Sequence, residues 1–503
     1  MCWSLMRTHR STTGYGGNVL HRIQRKRAMT AGAVGVLFLA QLVISSSSAA
    51  AGESEVTPPP LSQDRIEKHL TRFERIADAH GGDRASGTQG YAESVDYTEK
   101  LLKKAGYSTQ RQQFPFRYTR TLEEKLVLRD GSTPGVVVSG YSQSTPRGGL
   151  TARPTAVGGD TERRQGCRAG AYDGVPAGGR IALVDAGGCS MDDKQRVAAD
   201  AGAAAVIVAN TGPGELHTWL ADPEAARIPI GGVTQETGRL LAAEARAGRT
   251  VQLTLRSLTE RRTTENLIAV SPRGNPEHTV VSGAHLDSVP EGPGINDNGV
   301  AAAVLLESAL AAAKDHGTRA EDNRLVFGFW GAEEFGLLGS QHYVDSLTQE
   351  ERERTGLYLN LEMIGSPNYG LFTLDSKATD PVTGQRPAPG SDEIERELTD
   401  AFAAQGRTSL PGPADGRSDY VAFLGAGIPT GGLYGGSFEA KTPEQAALWG
   451  GTAGRPYDPC YHLTCDRTAQ YSREAATLHG QAFQTVLTHY SRHRLGEAAA
   501  HHG

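Results

Sequence analysis

Residues 280–302, VVSGAHLDSVPEGPGINDNGVAA, pass from an apolar β run through a Gly/Pro-rich loop into an Ala-rich helical run. A strand–loop–helix order of this kind, with polar residues gathered where the strand ends, belongs to an open α/β sheet, whose ligands sit beyond the carboxyl ends of the strands. His285 closes the strand and Asp287 follows two residues on, so His285 reads as a metal ligand and Asp287 as the carboxylate that orients its ring. Asp297 lies at the start of the next helix, where a carboxylate either caps the helix or bridges two cations; with an HxD pair in the same loop the metal reading is preferred.

Outward from this stretch, the pattern of strand then helix repeats from Asn266 onward. NLIAV, TVVSGAH, RLVFGFW, LYLNLEMIG and IPTGGL read as strands, separated by helices expected over 298–313, 339–347, 391–405, 418–425 and 468–491. The expectation is a mixed, largely parallel sheet sandwiched by helices. Ile66, Leu70, Phe73 and Ile76 recur at helical spacing ahead of it, and a second helix is expected over 91–105. Between these parts lies a segment of different character, with short β runs (KLVLR, GVVVSG, RIALVDAGG, AAVIVAN, TVQLTL) broken by Gly and Pro. It reads as an inserted α+β or β-barrel-like domain over 126–257, which makes the surrounding domain discontinuous, 53–125 and 258–495, with 496–503 a frayed tail.

Three further segments carry chemistry. In FGFWGAEEFGLLGS (327–340) a strand ends in adjacent Glu333 and Glu334, whose side chains point apart, so that one can bind metal while the other handles a proton. LYLNLEMIGSPN (357–368) ends a strand in Glu362, and DPCYHLTCD (458–466) places Tyr461 and His462 between two cysteines. Two imidazoles and three carboxylates, with Asp297 shared, give each of two cations a His, a terminal carboxylate and the bridging Asp. That donor set suits two zinc ions per chain in a hydrolytic site.

Of 503 residues, 51 are Lys or Arg and 57 are Asp or Glu, for a formal charge of -6. Residues 1–52 hold six of the basic residues and none of the acids, which leaves 45 against 57 in the remainder, an acidic balance that argues against nucleic-acid binding. Arg22, Arg25, Lys26 and Arg27 precede the apolar run Ala31–Ile44 and a Ser/Ala stretch, the order of a secretory signal peptide over 1–52. The run is shorter than the ~20 residues that span a bilayer, so an exported protein without a membrane segment is expected. No Cys follows it to carry a lipid anchor. Of five cysteines, Cys2 leaves with the signal; the spacing of the others suggests the disulfides Cys167–Cys189 and Cys460–Cys465, with other connectivities open.

Taken in order, AHLDSV, GINDNGVAA, GAEEFGLLGS, NLEMIGSPN, GRSDYVAFLGAGIPTGGL, EQAALWGG and DPCYHLTCD resemble the secreted bacterial di-zinc aminopeptidases, often leucyl-type, over about residues 62–125 and 258–491. The segment GRIALVDAGGCSMDDKQRVAADAGAAAVIVAN (179–210) resembles the protease-associated (PA) domain inserted in several members of that family. The resemblance implies that His285 and Glu362 hold one zinc, Glu334 and His462 the other, and that Asp297 bridges them. It further implies Glu333 as general base, Tyr461 as a partner of the oxyanion, and a substrate amine held by Glu333, Glu362 and the backbone carbonyl of Arg417. The family usually has Asp at the position of Glu362; the extra methylene bears on the zinc and on the amine pocket. The expected activity is release of N-terminal, chiefly hydrophobic, residues from peptides by zinc-activated water, in a monomer. The alternatives are a carboxypeptidase on the same scaffold, a glutaminyl cyclase, which has no need of the first His, or a non-catalytic peptide-binding homologue.

Overall fold

The computed structural model describes residues 61–212, 214–315, 322–381 and 383–496. The signal peptide expected over 1–52 and nearly all of the 496–503 tail lie outside them. Nine strands form one mixed sheet, in the spatial order Ser108–Val127, Val251–Val270, Asn323–Trp330, Asn275–His285, Thr355–Glu362, Thr430–Tyr434, Phe372–Leu374 and Leu410–Gly412, with Leu150–Ala152 paired to the second of these. Its centre, from Asn323–Trp330 to Thr430–Tyr434, is parallel throughout. Trp330 pairs with His285 across the register, so the loops that leave these two strands start side by side.

Alternation along the strands divides the core into two layers. Leu267, Ala269, Val280, Leu325, Phe327 and Leu359 face the helices Gln63–Ala79, Gln89–Lys104, Val300–Asp315, Ser391–Ala404 and Arg473–Tyr490. Ile268, Val281, Val326 and Tyr358 face Leu338–Ser346 and Tyr420–Gly425 on the other side. Burial of both faces explains why the central strands read as continuous apolar runs. The Ala-rich helix Val300–Asp315 lies deep in the first layer; its buried Glu307 is satisfied by Arg65 at 2.6 Å and His69 at 2.8 Å. Gly283 is required by packing, since a Cβ there would come within 2.3 Å of Trp330 Nε1 and 2.6 Å of the Tyr358 hydroxyl.

Several helix boundaries differ from the sequence reading, two of them near the site or by a full turn. The helix expected from 298 begins at Val300, because Asp297 (φ -109°, ψ 87°) and Asn298 (φ -126°, ψ 32°) are not helical. Asp297 therefore precedes the helix and does not cap it. The last helix begins at Arg473, not 468, because Ser472 caps it by accepting from the Ala475 N–H at 3.1 Å.

The inserted segment is entered and left through a long antiparallel ribbon, Ser108–Val127 against Val251–Val270, in register from Ser108↔Val270 to Val127↔Gln252 with one bulge at Thr121/Glu123. Hydrogen-bonded strands thus run continuously across residues 126 and 257, and the two ends of the insertion are neighbours, as tolerance of an insertion requires. Beyond the ribbon stands an open five-stranded sheet, Val137–Val138, Ile230–Val233, Ala205–Ala209, Ile181–Asp185, Pro154–Ala156, of which the last four are parallel. The helices Met191–Asp200 and Gln235–Arg246, capped by Ser190 and Thr234, belong to this unit. Cys167–Cys189 is bonded within it, Cα atoms 5.8 Å apart. Beside that disulfide the buried Lys194 ammonium donates to the carbonyls of Gln165, Asp185 and Gly187 at 2.6, 3.0 and 2.7 Å.

Candidate active site

The parallel strands deliver His285, Glu333, Glu334 and Glu362 to one edge of the sheet. Asp297 reaches them from the segment before Val300–Asp315, and His462 from the loop closed by Cys460–Cys465, whose Cα atoms are 5.4 Å apart. His285 Nε2 lies 3.2 Å from Asp297 Oδ1, 3.5 Å from Glu362 Oε1 and 3.8 Å from Glu333 Oε2. His462 Nε2 lies 3.1 Å from both Asp297 Oδ2 and Glu334 Oε2. The two oxygens of Asp297 thus face different imidazoles. One ligand atom from each of His285, Asp297 and Glu362 falls within a 4.8 Å group, and so does one from each of Asp297, Glu334 and His462. Each group is a His with two carboxylates, the donor set of a hydrolytic zinc site with a position left for water or substrate.

Charge bookkeeping supports the fit. Asp287, Asp297, Glu333, Glu334, Glu362 and Asp419 converge here, and among the described residues Asp287, Asp297, Glu333 and Glu362 pair with His285, and Asp297 and Glu334 with His462. Glu334 Oε1, Asp287 Oδ2 and Asp419 Oδ1 are buried without a hydrogen-bond partner. Buried like charges with orphaned oxygens are costly unless a cation or a proton joins them. Accordingly, burial and neighbouring carboxylates push Glu333 well above the usual carboxylate range; Glu334, through burial and Asp297, and Asp419, chiefly through burial, rise to about 7. Burial opposes the charge on His462, yet Glu334 and Asp297 outweigh it and raise the imidazole to about 10. Asp297 goes the other way: burial would raise it, but the two imidazoles hold it below the usual range.

The supporting groups place these side chains. His285 Nδ1 faces the backbone oxygen of Asp287 at 3.1 Å and its carboxylate at 3.6 Å, so Asp287 orients the ring mainly through its main chain. Its carboxylate instead accepts the Glu333 N–H at 3.3 Å. A hydrogen-bonded chain runs from Trp330 Nε1 to the Tyr358 hydroxyl (3.0 Å), on to Asn360 Oδ1 (2.9 Å), and from Asn360 Nδ2 to Ser418 Oγ (2.7 Å), whose proton goes to Glu362 Oε2 (2.6 Å). Arg84, fully buried, donates to the carbonyls of Leu286 (2.5 Å), Pro293 (2.9 Å) and Gly294 (2.7 Å), stapling the loop between His285 and Asp297. Asp466 accepts the N–H groups of Asn296 at 2.7 Å and Asp297 at 3.1 Å. The Asp297–Asn298 peptide bond is cis. Ala332, Met363 and His462 have positive φ (54°, 46° and 59°), left-handed backbone at or beside three of the converging residues.

Tyr461 stacks on the His462 ring, centroids 3.7 Å apart, and its phenol is pushed well above its usual range by burial and by Asp297 and Glu334. The Arg417 guanidinium is tied to Asp415 at 2.6 Å and to Glu439, and lies 4.8 Å from the exposed Phe438 ring. Sequence reading missed Arg84, Asp419, Ser418, Asn360 and Asp466. Asp419 and Ser418 stand beside Arg417 in GRSDYV, and Asp466 ends DPCYHLTCD, so proximity to the marked residues was their only signal.

A site of two His and a set of carboxylates at the carboxyl edge of a parallel sheet defines a metallohydrolase. The family model for Peptidase family M28 matches residues 266–487 and that for the PA domain residues 151–241. The chain is 38% identical over 436 residues to the probable lipoprotein aminopeptidase LpqL of Mycobacterium tuberculosis, covering 86% of this chain and 85% of the relative. Among solved structures it is similar to an aminopeptidase from Aneurinibacillus sp. strain AM-1 (TM-score 0.66, 27% identity, 87% and 95% of the two chains covered). It is also similar to BSAP, a zinc aminopeptidase from Bacillus subtilis (TM-score 0.61, 25% identity, 86% and 95% covered). The chain belongs to peptidase family M28, as an enzyme of its zinc aminopeptidase type with an inserted PA domain.

Proposed function

We propose that this protein is an exported aminopeptidase that uses two zinc ions to hydrolyse the first peptide bond of peptides with a hydrophobic N-terminal residue. One observation carries the reading: the two oxygens of Asp297 face different imidazoles, His285 at 3.2 Å and His462 at 3.1 Å, so that the groups His285–Asp297–Glu362 and Asp297–Glu334–His462 share it, with Glu333, which groups with His285 and Glu334, farther from His285 at 3.8 Å. His285 and Glu362 would hold one cation and Glu334 and His462 the other, bridged by Asp297. When bound, such a pair supplies Lewis-acid polarisation of the scissile carbonyl and makes water more acidic. The remaining steps belong to the chain's own groups. Glu333 takes the proton of the attacking water and returns it to the leaving amine. The Tyr461 hydroxyl donates to the developing oxyanion. Glu333, Glu362 and the Arg417 backbone carbonyl receive the substrate's α-ammonium, which a carboxypeptidase would have no use for. Export is supported by the two disulfides, bonds that persist in oxidising compartments. No described helix is long and apolar enough to cross a membrane.

Metal content separates the roles of the adjacent glutamates. Glu334→Ala removes a ligand, so zinc should fall toward one ion per chain. Glu333→Ala should keep both ions while turnover falls by ~10²–10⁴-fold, the usual contribution of a general acid–base group. Zinc lost from the Glu333 variant and retained in full by the Glu334 variant would reverse the assignment.

A further inference from the structure

A cleft of about 680 Å³ opens from the metal site toward the inserted domain. His462, Leu463 and Thr464 line its near end, and the segment from Gly135 to Val138, with Glu215 to Trp219, lines its far wall. We infer that this cleft is the channel for the residues that follow the scissile bond, so that the inserted domain reads peptide length. The inference rests on the aminopeptidase reading above, and its direction follows from burial. Glu362 and its partner Ser418 are almost enclosed, whereas the His462 side chain is 30% exposed. For a substrate amine held at the Glu362 end, the partly exposed His462 and the cleft beside it offer the chain a way out. The volume falls in the ~300–1,000 Å³ range of sites that engulf a small ligand, enough for a short extended segment.

The lining fits a peptide of mixed sequence. Arg120 and Lys125 on the exposed ribbon alternate with Glu124, Glu215 and Glu291, so no single sign of charge dominates. Glu124 is spent within the wall, where it accepts the Val138 N–H at 2.9 Å. The far wall is rigidly seated: Trp219 packs over Gly140, where a Cβ would come within 2.3 Å of the ring, and against the aromatic cluster of Phe116, Tyr118 and Phe335. A channel wall so anchored holds its distance from the metal ligands.

The test fills the channel from its far side. Gly135 is exposed, and a Cβ there would meet only Glu215 Oε1 at 3.6 Å, so Gly135→Trp adds bulk to the cleft without a backbone clash. Gly158→Trp, at an open position of the same domain outside the cleft, is the control. With zinc-loaded protein, kcat/KM is measured on an aminoacyl p-nitroanilide and on penta- and hexapeptides with the same first residue. Gly135→Trp should lower the value for the peptides about tenfold, mainly through KM, a loss equal to one good contact, and leave the anilide within about twofold; Gly158→Trp should change neither. Equal losses on both substrate types, or none on either, would overturn the channel. In the unmodified enzyme kcat/KM should rise from the anilide to the pentapeptide, and a flat dependence on length would also overturn it. Failure of the unmodified, zinc-loaded protein on every free-amine substrate would instead sink the aminopeptidase reading.

Discussion

Replacing Arg84 by Met keeps the length of the side chain and removes its donors. Three carbonyls lose a partner: Leu286, Pro293 and Gly294, of which Gly294 keeps the Gly299 N–H at 3.1 Å. Two buried acceptors are left unpaired, at ~1–3 kcal/mol each, which predicts a loss of about 2–6 kcal/mol in the stability of the metal-free protein. The Arg84 main chain keeps its two bonds to Ser288, its N–H donating to the Ser288 hydroxyl at 2.9 Å and its carbonyl accepting the Ser288 N–H at 3.3 Å, so the loop is loosened and not released. Because that loop carries His285 at one end and Asp297 at the other, cation affinity should fall by ~10–100-fold, the usual cost of losing a group that orients ligands. Denaturant unfolding of the metal-free variant and zinc competition against a chromogenic chelator read the two effects separately. An unchanged unfolding midpoint together with unchanged zinc affinity would refute the staple.

Ser418→Ala should break the hydrogen-bonded chain that ends on Glu362 and weaken one zinc site by ~10–100-fold while the other keeps its affinity, measured in the same competition assay. Reduction of Cys460–Cys465 should weaken zinc at the His462 site before the protein unfolds, since the bond restricts the loop that aims Tyr461 and His462; zinc release only at global unfolding would contradict this. The pH dependence of the metal-free protein follows from its raised carboxyls. Glu334 and Asp419 stand at about 7 and Asp466, through burial and Asp458, at about 8, all above their unfolded values. A raised group contributes stability that is present below its unfolded pKa and lost as pH rises through the folded one. His462, raised to about 10, adds a loss of the same sign at higher pH, while the opposing effect of Asp297 falls below pH 4. The melting temperature of chelated protein should therefore fall between pH 5 and pH 8.5, and zinc should restore it most at the upper end. A melting temperature that climbs over that range would count against these assignments.

Four of the residues that converge on the site were legible because each combines a reactive side chain with a strand end, a position that chain order alone reveals. His285, Glu333, Glu334 and Glu362 all follow apolar runs of strand length, and the structure puts those strands side by side in parallel. Asp297 was found, but as the first residue of a helix; the non-helical backbone at Asp297 and Asn298 has no marker in the composition of GINDNG. The supporting groups were not legible for a different reason. Arg84 and Leu286 are 202 positions apart, and Asn360 and Ser418 are 58 apart, so their pairing exists only once the sheet and its loops are assembled. The two-layered core was visible as apolar periodicity, whereas the long ribbon was not. Its strands, Ser108–Val127 and Val251–Val270, are polar for much of their length, because they leave the core to carry the inserted domain.

Zinc-loaded protein incubated with one peptide in two forms, free at its amino terminus or N-acetylated, tests the central claim directly, with the products followed by mass spectrometry. The account predicts stepwise loss of residues from the amino terminus of the free peptide and none from the acetylated one, because the blocked amine cannot enter the carboxylate-lined end of the site. Cleavage of both forms at equal rates, or loss of residues from the carboxyl terminus, would contradict it.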